Sequence, residues 1–198
     1  PGPPHEMSTM LRRHAEPYLR KLSQEVIVSR DIMTFGMGES SVEALLRDRM
    51  THMVNPTLAT YAKPFEVRLR ATAKASTEEE ARAMLAPVEE MVREALGDIV
   101  YGVDVPGLAE ACHAQLLKRG MTLATAESCT GGLAAEKIAA IPGASRVYRG
   151  GVVSYWTSVK GDVLQVPQDI LDTYGPVSEA CARAMAEGVR RVTGADLG

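Results

Sequence analysis

The chain has 198 residues, enough for one large domain or two small ones that each bury a core. Hydrophobic residues make up 45% and charged residues 24%, as in an ordinary globular protein, and a net charge of −3 offers no basic excess for nucleic acid. The acidic excess lies in residues 1–104, residues 105–198 balance, and neither a membrane-span-length apolar run nor a signal-peptide pattern is present. Cys112, Cys129 and Cys181 are odd in number and widely spaced, which predicts reduced thiols in a cytoplasmic protein. With aromatics at 5%, the cores must rest on Ala, Val, Leu, Ile and the 10 Met.

Pro1-Gly2-Pro3-Pro4-His5-Glu6-Met7 does not read as a natural start, and a helix over Met7–Leu22 follows with Pro17 as an interruption. Glu25–Val28 and the alternation through Ile32 and Phe35 predict a strand, with a turn at Gly36-Met37-Gly38. Ser40 or Ser41 then caps a helix whose apolar face is Val42, Leu45, Leu46 and Met50. Two period-two runs, Thr57–Tyr61 and Phe65–Ala71, predict a hairpin turning at Ala62-Lys63-Pro64. Thr77 and Glu80 form a capping box for a long helix that faces inward through Ala81, Met84, Leu85, Val88, Met91, Val92, Ala95 and Leu96, kinked at Pro87. Asp98–Gly102 is a last strand. The order β-α-β-β-α-β describes a small α+β sandwich over residues 23–104, bounded by Val103–Pro106.

The second unit, 105–198, opens with a helix over Gly107–Lys118, whose apolar positions are Leu108, Cys112, Leu116 and Leu117 and which ends at Gly120. Met121–Thr125 reads as a strand, Leu133–Ala140 as a helix, Ile141–Ser145 as a loop and Val147–Trp156 as a second strand apart from Gly150-Gly151. A short helix near Ser158–Leu164 and an Ala-rich helix from Ser178 to Val192 complete it. Strands alternating with helices predict an α/β layer arrangement with a parallel or mixed sheet and flanking helices. Gly194–Gly198 stops where a strand is beginning, so the chain reads as a fragment.

Chemistry concentrates at Ala126-Glu127-Ser128-Cys129-Thr130-Gly131-Gly132, between the first strand and helix of that unit. A strand that breaks at small polar residues before a helix exposes hydroxyl, thiol and amide N–H groups together, and the helix dipole favours an anion or developing oxyanion there. The same residues equally describe a turn that only caps the next helix. Tyr155 and Lys160, at the end of the second strand and one turn later, become partners of Ser128 if both strands run to one sheet edge. Taken singly, Tyr155 reads as an amphipathic core aromatic and Lys160 as a solvated helix position. A desolvated lysine beside a serine can take the hydroxyl proton. Cys129 is the competing nucleophile; neighbouring strand residues point opposite ways, so one of Ser128 and Cys129 faces the site. His5, His14, His52 and His113 lack metal-ligand spacing, and no structural zinc is expected. Ser178 and Glu179 read as an N-cap and first-turn carboxylate, with phosphate binding at Ser178 as the alternative.

These motifs, with Gly150-Gly151-Val152-Val153-Ser154-Tyr155, Lys160 and Val177-Ser178-Glu179, resemble the C-terminal domain of CinA proteins, a nicotinamide mononucleotide deamidase. The middle unit, with Gly36-Met37-Gly38-Glu39-Ser40, is similar to the family's KH-type linker domain. Residues 1–22 resemble the tail and connecting helix of its molybdopterin-binding-like domain, which is associated with ADP-ribose pyrophosphatase activity. The resemblance implies hydrolysis of nicotinamide mononucleotide to nicotinate mononucleotide and ammonia. Ser128 would be the nucleophile, Lys160 its base and Tyr155 an aid to proton transfer. Glu127, Cys129, Thr130, Gly131, Gly132 and Ser178 would line the substrate, and amides near Thr130–Gly132 would be oxyanion or phosphate donors. It implies a cytoplasmic homodimer with no cofactor, and a Thr-Gly-Ile-Ala-Gly-Pro segment directly after Gly198, so that the chain holds a truncated deamidase domain. The alternative is a linker and dimerisation fragment of a protein acting chiefly as an ADP-ribose pyrophosphatase. A KH-like unit suggests RNA, but Gly36-Met37-Gly38-Glu39 lacks the Gly-x-x-Gly clamp, so neither nucleic acid nor membrane is expected as a partner.

Overall fold

A computed structural model describes residues 2–23 and 25–198, leaving Pro1 of the opening motif and Gln24 outside the described residues. They form two compact units, one ending at Val105 and the other beginning at Pro106.

The first unit opens with helix α1 (Pro4–Met10), a π-helical turn over Leu11–Ala15, and α2 (Glu16–Leu22). The Glu16 N–H reaches back to Leu11 O, and the widened turn sits just before Pro17, which has no N–H to continue an α ladder. Pro17 thus changes the helix type and does not end the helix.

The sheet of this unit has four strands, β1 (Val26–Phe35), β2 (Thr57–Lys63), β3 (Glu66–Ala75) and β4 (Val100–Val103), in the order β2-β3-β1-β4, with every ladder antiparallel. On β3, Val67, Leu69, Ala71, Ala73 and Ala75 are buried while their neighbours are not, the period-two pattern of a sheet covered on one face. The cover is α3 (Glu39–Thr51) and α4 (Glu78–Leu96). Val42, Leu46, Ala81, Leu85, Val88, Val92 and Leu96 pack with Ile32, Val67 and Leu69 in one core. Thr34, also fully buried, donates its hydroxyl to Val67 O at 3.0 Å. The opposite face carries Asp31, which accepts two hydrogen bonds from Arg70 at 2.7 Å each. Arg70 holds the Asp31 carboxyl below its ordinary value; burial opposes this, and the charges of Arg68 and Lys63 add to it.

Several expectations for this unit change, among them the last strand: Gly97–Ile99 form a 3₁₀ turn and β4 begins only at Val100. Helix α3 starts at Glu39 with extended Gly38 as its N-cap, so Ser40 and Ser41 lie inside the first turn. Leu45 is 54% exposed, because the stripe of α3 that reaches the core is narrow enough for Val42 and Leu46 alone to be buried. The hairpin turns at Pro64-Phe65, since Lys63 already pairs with Glu66; Phe65 is a left-handed turn residue (φ 63°), not the first residue of β3. Helix α4 begins as expected, with Thr77 Oγ1 accepting the Glu80 N–H at 3.2 Å, and it runs unbroken through Pro87.

The second unit consists of α5 (Leu108–Arg119), β5 (Leu123–Glu127), α6 (Leu133–Ala139), β6 (Tyr148–Val153), α7 (Thr157–Asp162), α8 (Gln168–Tyr174) and α9 (Glu179–Thr193). Helix α5 ends on left-handed Gly120 as expected, but only Leu116 is buried and Leu108 and Cys112 are exposed. Strands β5 and β6 pair in parallel, and Leu197 bridges Leu123 in parallel on the other side. Of the parallel or mixed sheet expected, all described ladders are parallel. Ala124 of β5 packs on Leu164, Val166, Leu171, Cys181, Ala184, Met185 and Val189, a core fed mainly by α9 and the segment between α7 and α8. Helix α8 was not foreseen, since its mixture of Gln, Asp, Thr and Tyr leaves Leu171 as its one buried residue. Among the described residues no helix is long and apolar enough to cross a membrane.

Candidate active site

Strand β5 delivers its last residue, Glu127, into the interior and hands the chain to Ser128 at the surface end of the strand. The turn that follows bends back through Gly131 (φ 62°) and Gly132 (φ 105°) into α6. Both glycines stand in the left-handed region, where a side chain would strain the backbone. Ser128 is thereby left half-buried at the strand end, while Cys129 and Thr130 are exposed.

Strand β6 stops at Val153, three residues short of the sequence expectation. One further bond, from Ser154 N to Glu127 O at 2.7 Å, carries the pairing past its end. The chain then turns through Tyr155 and Trp156 into α7, whose fourth residue is Lys160. Lys160 is 1% exposed and is the largest fully buried side chain of the described residues. Its Nζ donates to Ser128 Oγ at 2.9 Å and also to the Ser154 carbonyl. No carboxylate pairs with it among the described residues. The ammonium is therefore held by a carbonyl and a serine hydroxyl alone, an uncommon setting for a buried lysine.

Glu127 is 7% exposed. Its Oε2 accepts from Thr130 Oγ1 at 2.7 Å and Ala134 N at 2.9 Å, and its Oε1 from Ala135 N at 2.8 Å. Burial pushes this carboxyl up, but the bonds from Ala134, Thr130, Ala135 and Gly132 outweigh it and hold the carboxyl below its ordinary value. The amides at the start of α6 are thus already engaged. The Gly131 N–H is also turned inward, to Ser128 O at 3.1 Å. The expected donors at Thr130–Gly132 reduce to Thr130. Its N–H and that of Cys129 have no acceptor among the described residues.

The two strand ends place Ser128, Lys160 and Glu127 together. Tyr155 is 71% exposed and has no hydrogen bond to Ser128 or Lys160 among the described residues. Ser178 caps α9: its Oγ accepts the Cys181 N–H at 3.1 Å and donates to Gly175 O at 3.0 Å. Cys129 lies exposed beside Ser128, and it is Ser128 that Lys160 contacts. The sequence reading gave no role to Ser154, which is fully buried, supplies the carbonyl for Lys160 and donates its own Oγ to Glu127 O at 3.3 Å. Its signal was only a serine at the inward register of a strand end.

The family profile of the CinA C-terminal domain matches residues 106–198, and that of the damage-inducible protein CinA KH domain matches residues 29–102. The chain belongs to the CinA family. A CinA-like protein of Dictyoglomus turgidum is 41% identical over 198 residues, 100% of this chain and 48% of its own length. A CinA-like protein of Kosmotoga olearia is 43% identical over the same shares. The crystal structure of a competence damage-inducible protein A from Klebsiella pneumoniae shares 41% identity over 42% of this chain and 52% of its own, with a TM-score of 0.41. The chain spans about half the length of the curated relatives it matches, at 48% of each. Ser128 and Lys160 both lie within the stretch matched by the CinA C-terminal domain, and the antiparallel unit contains the CinA KH match.

Proposed function

We propose that this chain carries the nucleophile of a nicotinamide-nucleotide amidase site. The observation that supports the reading is Lys160 Nζ, buried and 2.9 Å from Ser128 Oγ. With the amine uncharged, the same contact runs the other way, and Ser128 donates its proton to Nζ as Oγ attacks the carboxamide carbon of nicotinamide mononucleotide. The carbonyl electron pair moves onto oxygen, where the Cys129 and Thr130 N–H groups are available to receive it. Collapse breaks the C–N bond, Lys160 returns the proton to the leaving nitrogen, and ammonia departs, leaving an ester on Ser128. Tyr155, exposed on the loop between β6 and α7, assists that proton transfer. Water then attacks the ester with Lys160 again as base, the C–Oγ bond breaks, and nicotinate mononucleotide is released. Cys129, Thr130, Gly131, Gly132 and Ser178 are the proposed substrate contacts. Lys160 passes the water's proton to Ser128 Oγ, the net change is amide plus water to carboxylate plus ammonium, and the scheme uses no cofactor.

Ammonia release from nicotinamide mononucleotide tests this directly. Ser128→Ala should lower kcat by about 10³-fold or more, whereas Cys129→Ala should be far milder. Near-normal turnover in Ser128→Ala would sink the assignment.

A further inference from the structure

We infer that Glu127 is a positioning residue, an internal anion that fixes the nucleophile turn against the Lys160 segment, and not a substrate ligand. This rests on the amidase reading for the identity of the pair it positions. Glu127 is joined to both halves of the site. Its carboxylate takes the Thr130 hydroxyl and the Ala134 and Ala135 amides, which fixes where the turn after Ser128 ends. Its main-chain carbonyl takes both the N–H and the hydroxyl of Ser154, at 2.7 and 3.3 Å. The Ser154 carbonyl in turn holds Lys160 Nζ. Ser128 lies between these two sets of bonds, one residue after the Glu127 carbonyl and two before Thr130.

Two other roles fit less well. As a counter-ion, Glu127 would face Lys160, but both of its oxygens are bound to the turn and α6 instead. As a substrate ligand, it would have to give up those bonds at 7% exposure and would bring a negative charge toward a nucleotide phosphate. A carboxylate that already satisfies the amides of α6 also leaves that helix end nothing to offer a second anion. What remains is geometry: reacting groups displaced by about 1 Å lose on the order of 10²-fold in rate.

The test combines kinetics with amide exchange in Glu127→Gln, which keeps the shape but turns an acceptor into a donor facing donors. The expected result is a kcat lowered about 10- to 100-fold with KM within about twofold, and faster exchange at the Ala134 and Ala135 amides. Thr130→Val should shift kcat in the same direction by less, and Thr130→Ser, which keeps the hydroxyl, should return it toward the starting value. If Glu127→Gln does not fold, the Thr130 pair carries the test. A raised KM with kcat retained would make Glu127 a substrate ligand and overturn the proposal, as would unchanged exchange at Ala134 and Ala135. If the unmodified protein releases no ammonia, the amidase reading falls alone, and the exchange rates still decide whether Glu127 holds the turn.

Discussion

The two units bury different things. In residues 2–105 the large, fully buried side chains are Ile32, Met33, Leu46, Leu69 and Leu85, and the charged pair Asp31–Arg70 stays on the partly exposed sheet face. In residues 106–198 an apolar core of Leu164, Val166, Leu171, Met185 and Val189 with Ala124, Cys181, Ala184 and Ala195 is joined by buried polar side chains, Lys160, Glu127 and Ser154. Burying an ammonium without a carboxylate partner costs stability that apolar packing would have supplied. The first unit is arranged as a domain arranges itself for folding, and the second gives up some of that where β5 and β6 end. Local departures of this kind mark sites.

The sharpest way to break this contrast is Lys160→Met, which keeps the length of the side chain and removes its charge. Ammonia release should fall by about 10³-fold or more, while the unfolding free energy changes by no more than about 1 kcal/mol, because loss of the Ser154 contact is offset by relief of the buried charge. Chemical denaturation beside steady-state kinetics reads both. A variant that unfolds like a core deletion would make Lys160 a structural residue.

The converse substitution belongs to the first unit. Leu85→Ala removes a fully buried side chain and should cost about 2–5 kcal/mol, with kcat per folded molecule unchanged. A fall in kcat under conditions where the protein remains folded would end the division of labour.

How much of each unit could be read from sequence follows the same division. The alternation on β3 and the inward face of α4 from Ala81 to Leu96 are repeated choices, so single misreadings such as Leu45 do not disturb them. The turn at Pro64-Phe65 was missed, by two residues on its β2 side and one on its β3 side, because ladder register, not turn composition, decides where pairing stops. At the site, Ser128 and Lys160 were legible as residue types, but their 2.9 Å contact depends on two strand ends meeting, which no local pattern encodes. Ser154 and the engagement of Glu127 with α6 were illegible for a related reason. A buried serine or glutamate looks like a surface one until its hydrogen-bond partners are placed.

Acid should separate the units next. The Glu127 carboxyl is held below its ordinary value of 4.5 by hydrogen bonds that overcome its burial. Its contribution is therefore fully present above that value and is lost as pH falls through the lowered one. The stability gap between the unmodified chain and Glu127→Gln should be widest above about pH 5 and narrow in more acid solution. Denaturant midpoints from pH 7 to 3 measure it, and a gap that stays constant would mean the charge does not hold the turn.

The smallest effect concerns Ser178, where helix capping and substrate contact compete as explanations. Its hydroxyl accepts the Cys181 N–H at 3.1 Å, so Ser178→Ala should cost about 1 kcal/mol. Ser178→Asp preserves the cap acceptor and places a negative charge at the start of α9, beside Glu179, so it should recover most of that stability. Substrate contact would separate the two variants differently: KM would rise in Ser178→Ala and rise further in Ser178→Asp, whose carboxylate repels a nucleotide phosphate. If KM follows stability and recovers in Ser178→Asp, the serine serves the helix, and substrate recognition in this unit narrows to the turn around Ser128.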